Sequence, residues 1–285
     1  MQTIGRVREI WRYPVKSLQG ESLQAADVNA MGVAGDRGWA VRDDAEIVGA
    51  RHYPALLLCT ARYAQEPDGH TIPEARIGFP DGSASDASDP QAARRLGALL
   101  GRPVSLHRLR PAQDLDYYRR RARDPAQMGE FMQAQFGREP GEPLPDFSQF
   151  PPELMQFSAI PGMHFDVTPL HIVSTATLEF MRARNPAADW DRRRFRPNIL
   201  IETATGTADC MEHAWNGRRL RIGGALILCQ GPTPRCSMPT RAQGELRPDP
   251  SVLRTIVREA GQNLGMYADV GSAGRIAVGD AVELF

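Results

Sequence analysis

The chain has 285 residues, with 34 Lys+Arg against 34 Asp+Glu and a formal net charge of zero. The pI is about 7.0, which argues against a global electrostatic nucleic-acid binder. No apolar run is long enough to span a bilayer, and the opening "MQTIGRVREIWRYPVKS" lacks the apolar core of a signal peptide. Four scattered cysteines, none in a C-x-x-C pair, point away from a disulfide framework, so the expectation is a cytoplasmic globular protein of one large or two small domains.

The first ~110 residues read as short strands: "TIGRVREIWRY", "SLQAADVNA", "RGWAVRD" and "ALLLCTARY" alternate or are apolar, and Gly, Asp or Pro bounds them. Between them, "MGVAGDRGWAV" looks like a glycine-rich turn feeding a strand. "DPQAARRLGALLG" (89–101) has helical spacing and Asp89 as a cap, and "VSLHRLR" (104–110) reads as a strand. The stretch 111–165 has no clean periodicity. It holds an arginine cluster, a helix near 125–136 and many prolines, and reads as a connection or lid over a site. Its Arg119, Arg120, Arg121 and Arg123 fit a solvated face.

From Asp166 onward order returns. "TPLHIVSTATLEFMRARN" is a strand then a helix capped by Ser174 or Thr175, and "RRRFRPNILIET" is a basic turn entering a strand. "NGRRLRIGGALILCQGPTPRCSMPT" is a hairpin ending in a cysteine loop, "PSVLRTIVREAGQ" a helix with Pro250 near its start, and "MYADV" and "GRIAVGDAVELF" are short strands. The expected fold class is mainly β (α+β), barrel-like with a few helices. The divisions fall at 1–110, 111–165 and 166–285.

Chemistry concentrates in few places. Cys236 follows Arg235 on a loop that prolines hold in one shape. A cation beside a thiol favours the thiolate, which suits a soft metal or sulfur transfer. Cys59 and Cys229 follow apolar runs and fit buried structural positions. Lys16, the one lysine in the chain, sits with Ser17 in a Tyr-Pro turn, and Arg37 sits in a Gly-rich turn. Together they can converge on a phosphate. Arg196 and Asn198 offer a fork and an amide to an anion or heterocycle. Singly, each is better explained as a surface charge or turn device. The six histidines have no metal-finger spacing, and His171 reads as a core histidine. There is no P-loop, no G-x-G-x-x-G and no G-x-S-x-G.

Taken in order, "YPVKS", "GDRGW", "FRPNILI", "PRC" and "GRIAVGDAVEL" resemble MOSC proteins, which take their name from the C-terminal domain of molybdenum cofactor sulfurase. With its N-terminal β-barrel partner the arrangement is similar to the mitochondrial amidoxime-reducing component and its bacterial relatives. The resemblance implies a MOSC-type β-barrel plus an N-terminal barrel-like subdomain, with a pterin-based molybdenum cofactor between them. It implies Cys236 as the Mo ligand and Lys16, Ser17, Arg37, Asp166, Thr168, Arg196, Asn198 and Arg235 as cofactor contacts, Tyr267 matching more loosely. The implied activity is reduction of N-hydroxylated or N-oxide-type small molecules. Electrons would come from a separate flavin or iron-sulfur protein, since no ferredoxin-like module follows "VELF". The rival readings are a sulfur carrier using a Cys236 persulfide and a non-enzymatic cofactor carrier. Pyridoxal phosphate binding is a further family-level association. The chain departs from relatives at Thr233, where eukaryotic ones carry a second cysteine, and at "PTRAQGELRPDP", where an acidic "T-x-D-x-x-x-G" stretch is usual.

Overall fold

The computed structural model describes residues 2–69, 71–148, 153–203 and 209–285. The first strands are β1 (Gln2–Arg12), β2 (Glu21–Leu23), β3 (Ala25–Asn29), β4 (Gly32–Val33), β5 (Trp39–Arg42), β6 (Thr60–Tyr63), β7 (Ala75–Gly78), β8 (Ala84–Asp86) and β9 (Ser105–Arg108). The later ones are β10 (Leu170–Ser174), β11 (Ile199–Thr203), β12 (Arg219–Ile222), β13 (Ala225–Pro234), β14 (Asn263–Ser272), β15 (Gly274–Ala277) and β16 (Ala281–Leu284). The helices are α1 (Pro90–Leu100), α2 (Leu115–Tyr118), α3 (Met128–Phe136), α4 (Glu153–Gln156), α5 (Thr175–Arg184) and α6 (Pro250–Glu259).

The second half closes a barrel in the order β11-β10-β14-β13-β12-β16-β1, with β1 pairing back onto β11. Its first stave therefore comes from the chain's opening segment. Val7 pairs with Ile201 and Ile10 with Ile199, while Gln2 to Arg6 pair with β16. β15 likewise pairs with β3. The proposed division at residues 110 and 166 is one of sequence, and in space β1 crosses it. Alternation along the staves points Val7, Ile10, Ile172, Ile199, Ile201, Leu220, Ile222, Ile227 and Met266 into one core, the period-two pattern of a barrel wall.

The other lobe has its own core, with Val15, Leu18, Trp39, Val41, Leu56, Leu57, Ile77 and Leu96 all buried. It is built from the β5-β9 pair and the β6-β7-β8 sheet with α1 packed alongside. The α1 start is set as the sequence suggests: Asp89 accepts from Gln91 N at 2.8 Å, Pro90 opens the first turn, and Gly101 ends the helix at φ 69°. Ser174, not Thr175, caps α5, accepting from Thr177 N at 3.1 Å. Asp249 and Pro250 start α6 in the same manner, and Val252, Leu253 and Ile256 of α6 are buried. One expectation fails: "ALLL" of "ALLLCTARY" is not strand. Pro54–Leu58 is a 3₁₀ turn and only Thr60–Tyr63 extends. Pro54 pre-sets the turn at its first position, and Leu56 and Leu57 are fully buried there.

Candidate functional site

Four non-glycine residues among those described have positive φ: Ser17 (71°), Arg37 (51°), Arg196 (53°) and Gln262 (75°). Each costs about 1–2 kcal/mol for a residue with a Cβ. Three of them are residues that the sequence singles out, and the fourth sits under the cysteine loop. Such strain persists only where surrounding bonds over-determine the backbone, and here they do. Lys16 N donates to Trp39 O at 2.8 Å, Arg37 N to Tyr13 O at 2.7 Å and Trp39 N to Pro14 O at 2.9 Å, which zips the two N-terminal turns together. Ser17 Oγ accepts from Ala50 N at 3.0 Å.

Asp36 and Asn198 join these turns to the barrel. Asp36 Oδ1 accepts from Tyr13 N at 2.7 Å, and Asp36 Oδ2 from Asn198 Nδ2 at 2.9 Å and from Arg37 Nη1. Asn198 Oδ1 accepts from His171 N at 3.1 Å, and Tyr13 Oη donates to Pro197 O at 3.0 Å. Both ends of the Asn198 amide are therefore engaged by protein. Its observed work is to tie β11 to β10 and to the Asp36 turn.

The cysteine loop leaves β13 at Pro234. Arg235 N donates to Gln262 O at 2.9 Å and Ser237 N to Gln135 O at 3.1 Å, so Cys236 is held on both sides. The second hold comes from α3. Arg138, just beyond α3 and 8% exposed, adds a third: its Nη2 donates to Arg235 O at 3.2 Å and to Gln262 Oε1 at 2.8 Å. Cys236 is half-buried, whereas Cys59, Cys210 and Cys229 are buried. Burial pushes the Cys59 thiol to about 11 and the Cys229 thiol to about 12, which keeps both protonated.

All ten residues that the sequence singles out line one cleft: Lys16, Ser17, Arg37, Asp166, Thr168, Arg196, Asn198, Arg235, Cys236 and Tyr267. Its narrow part is about 100 Å³. It shares Asp166, Val167, Pro234, Cys236 and Tyr267 with a wider apolar chamber of about 350 Å³. Thr168 Oγ1 donates to Leu170 O at 3.0 Å. Lys16 Nζ donates to Asp166 Oδ1 at 2.6 Å and His164 O at 2.7 Å, and Arg51 Nη2 lies 3.6 Å from the same Asp166 oxygen. Against the upward push of burial, Lys16 and then Arg51 hold Asp166 well below the usual carboxylate range. Burial pulls the Lys16 ammonium down, and Asp166 opposes this.

Two further cations have no ion pair among the described residues. Burial draws Arg196 down to about 10, with Arg37 adding to the fall while Tyr13 opposes it, and burial lowers Arg235. Arg196 Nη1 donates to Leu18 O at 2.7 Å and Arg235 Nη2 to Phe195 O at 3.2 Å. Yet Arg196 Nη2, Arg235 Nε and Thr233 Oγ1 are buried with no hydrogen-bond partner among the described residues. Buried donors are normally satisfied, and all three of these residues line this cleft. Burial and then Arg235 lower His171 to about 3. The neutral ring is the acceptor 3.4 Å from Arg235 Nη1. A Cβ on Gly265, at φ +90°, would meet His171 Nε2 at 2.2 Å, so only glycine lets β14 pass this close.

Sequence reasoning missed His171 as a cleft residue, because an apolar strand hides it. It also missed Arg51, Arg138 and the inward-turned Arg120, which carry no local motif. The orphaned Thr233 hydroxyl stood in the sequence only as a departure. Among the described residues, no group of three His, Cys, Asp or Glu could hold a metal, and no helix is long and apolar enough to cross a membrane.

The MOSC domain family matches residues 162–283, and the MOSC N-terminal beta barrel domain family matches residues 4–81. Between them they take in well over half of the chain, which belongs to the MOSC-domain family. This places it among molybdenum-cofactor-associated proteins. The chain is 37% identical over 71 residues to mitochondrial amidoxime reducing component 2 of Bos taurus, covering 23% of this chain and 21% of that protein. It is 38% identical over 68 residues to the Homo sapiens protein of that name, covering 22% and 20%. The matched stretch thus spans about a fifth of these relatives' length. Among solved structures, the YUAD protein of Bacillus subtilis is 12% identical with a TM-score of 0.43, over 98% of this chain and 94% of that one.

Proposed function

We propose that the protein is a molybdenum-cofactor reductase of N-hydroxylated or N-oxide-type small molecules, with Cys236 as the metal's thiolate ligand. The observation that supports this best is the set of orphaned buried donors, Arg196 Nη2, Arg235 Nε and Thr233 Oγ1, on the cleft that also holds a half-buried thiol. The donor set fits the cofactor: cations and hydroxyls for its phosphate and pterin edge, and a soft thiolate for its metal. When bound, the cofactor would supply two-electron oxo transfer.

The chain's own residues do the rest. Lys16, Arg37, Arg196 and Arg235 give the cleft a cationic surplus over Asp166, the carboxylate that lines it. This favours a dianionic ligand. Burial raises the Tyr267 hydroxyl above its ordinary range. Tyr267 is therefore a protonated O–H donor at the junction of cleft and chamber, while Asp166 stays ionised and can only accept. The overall balance is R–NHOH plus two electrons and two protons, giving R–NH₂ and water. A separate flavin or iron-sulfur protein is the proposed electron source, and the cytoplasm the proposed compartment. The apolar chamber that opens onto Cys236 favours a small-molecule substrate over a sulfur carrier, which needs no such room.

The test uses protein made in a cofactor-competent host, with a reduced viologen dye as electron source. The expected result is conversion of an N-hydroxylated amidine to the amidine. Bound cofactor without turnover of amidine, hydroxylamine or N-oxide would instead favour the carrier reading. A transferable sulfur on Cys236 without bound molybdenum would favour sulfur transfer.

A further inference from the structure

The chamber beside Cys236 has two unlike walls. One is apolar, and segment 111–165 supplies it: Met132, Phe136, Phe147 and Phe157. The other carries Arg51 and Arg120. In the arginine cluster, Arg119 pairs with Asp116 at 3.0 Å, Arg121 with Asp44 at 2.8 Å and Arg123 with Glu46 at 2.7 Å. Arg120 alone of the four has no side-chain hydrogen bond or ion pair among the described residues. Its backbone is nonetheless fixed, since Arg120 N donates to Gln156 O at 3.0 Å and Arg119 bridges Phe157. The segment thus aims Arg120 inward. Burial first, then Arg51 and Arg123, pull its guanidinium down to about 10. Arg51 lies 3.6 Å from Asp166, which is already bonded to Lys16.

We propose that this chamber selects substrates that are amphipathic oxyanions, such as apolar carboxylic acids, with the oxyanion on Arg120 and Arg51 and the apolar body on the Phe136 wall. A guanidinium fork matches a carboxylate in two parallel hydrogen bonds, and a half-buried, unmatched cation gains most from such a partner. This rests on the reductase reading only for what happens at the other end of the substrate, where the N-hydroxyl would face Cys236. The oxyanion subsite stands on its own geometry.

The test is a calorimetric titration of the cofactor-loaded protein with 3-phenylpropionate and with uncharged 3-phenylpropionamide, which share one apolar body. The expected result is that the carboxylate binds about tenfold to a hundredfold tighter. Arg120→Gln should bring the carboxylate toward the amide, and Arg120→Lys, which keeps the charge on a slightly shorter stem without the fork, should retain part of the advantage. Equal affinity of the two probes for the wild type overturns the proposal. So does an advantage that persists undiminished in a folded Arg120→Gln. Carboxylate binding confined to cofactor-free protein overturns it too, since the cations would then serve the cofactor's own phosphate. No turnover is measured, so a failure of the reductase reading would appear in the dye-coupled assay and leave this titration interpretable.

Discussion

The N-terminal turns and the 111–165 segment meet at the same cleft but are built by different physics. The turns are specified by backbone. Prolines, glycines and an Asp36–Asn198 hydrogen-bond network force Ser17, Arg37 and Arg196 into left-handed conformations. The segment is specified by side chains: Arg138 grips the cysteine loop, Gln135 O receives Ser237 N, and aromatic residues line the chamber. Backbone-specified parts leave short, readable motifs. Parts that act through packing and long side chains leave almost none, yet they control where Cys236 sits.

Asp36→Ala should produce the largest effect, since it strips a fully buried carboxylate side chain from Tyr13 N, Asn198 and Arg37. Breaking a buried charged network costs about 3–5 kcal/mol, read as a fall in urea midpoint. A loss under 1 kcal/mol would mean that the turns do not depend on it. Arg138→Ala tests the segment's side of the comparison. It should lower cofactor retention about 10–100-fold, measured by dialysis of loaded protein, with a smaller loss of stability. Unchanged retention would reduce the segment to a cover.

Buried histidines give a pH signature. Burial and then Lys16 lower His164 to about 3, while an unfolded histidine titrates near 6.5. The folded value is the depressed one, so this stability is fully present above about pH 6.5 and lost as pH falls toward 3. The slope reaches about 1.4 kcal/mol per pH unit. His164→Gln should flatten the decline between pH 6.5 and 4.5, and an unaltered slope would contradict the assignment. The smallest effect is expected for Arg119→Ala, whose pair with Asp116 is exposed on both sides. It should shift stability by less than about 1 kcal/mol and leave cofactor retention alone, in contrast to Arg138.

Much of the architecture was legible. The strand alternation in "TIGRVREIWRY", the Asp89 and Ser174 caps and the Pro250 start are local rules with local causes. What was not legible is that β1 is a stave of the far barrel, because register between residues so far apart in the chain leaves no local trace. The ten cleft residues were legible only as an ordered series of motifs. Arg120 was hidden within a run of arginines that reads as solvated, and only the structure shows that its three neighbours form ion pairs while it forms none among the described residues. His171 looked like core and is buried; what the sequence did not reveal is Gly265 across the strand, which brings its ring to Arg235.

Molybdenum per chain in wild type and Cys236→Ser, both prepared from the same cofactor-competent host, tests the central claim most directly. The account predicts near-stoichiometric molybdenum in the wild type and its loss in a Cys236→Ser variant that melts at the wild-type temperature. Equal molybdenum in the two proteins, or none in either, would contradict Cys236 as the ligand on which this cleft is organised.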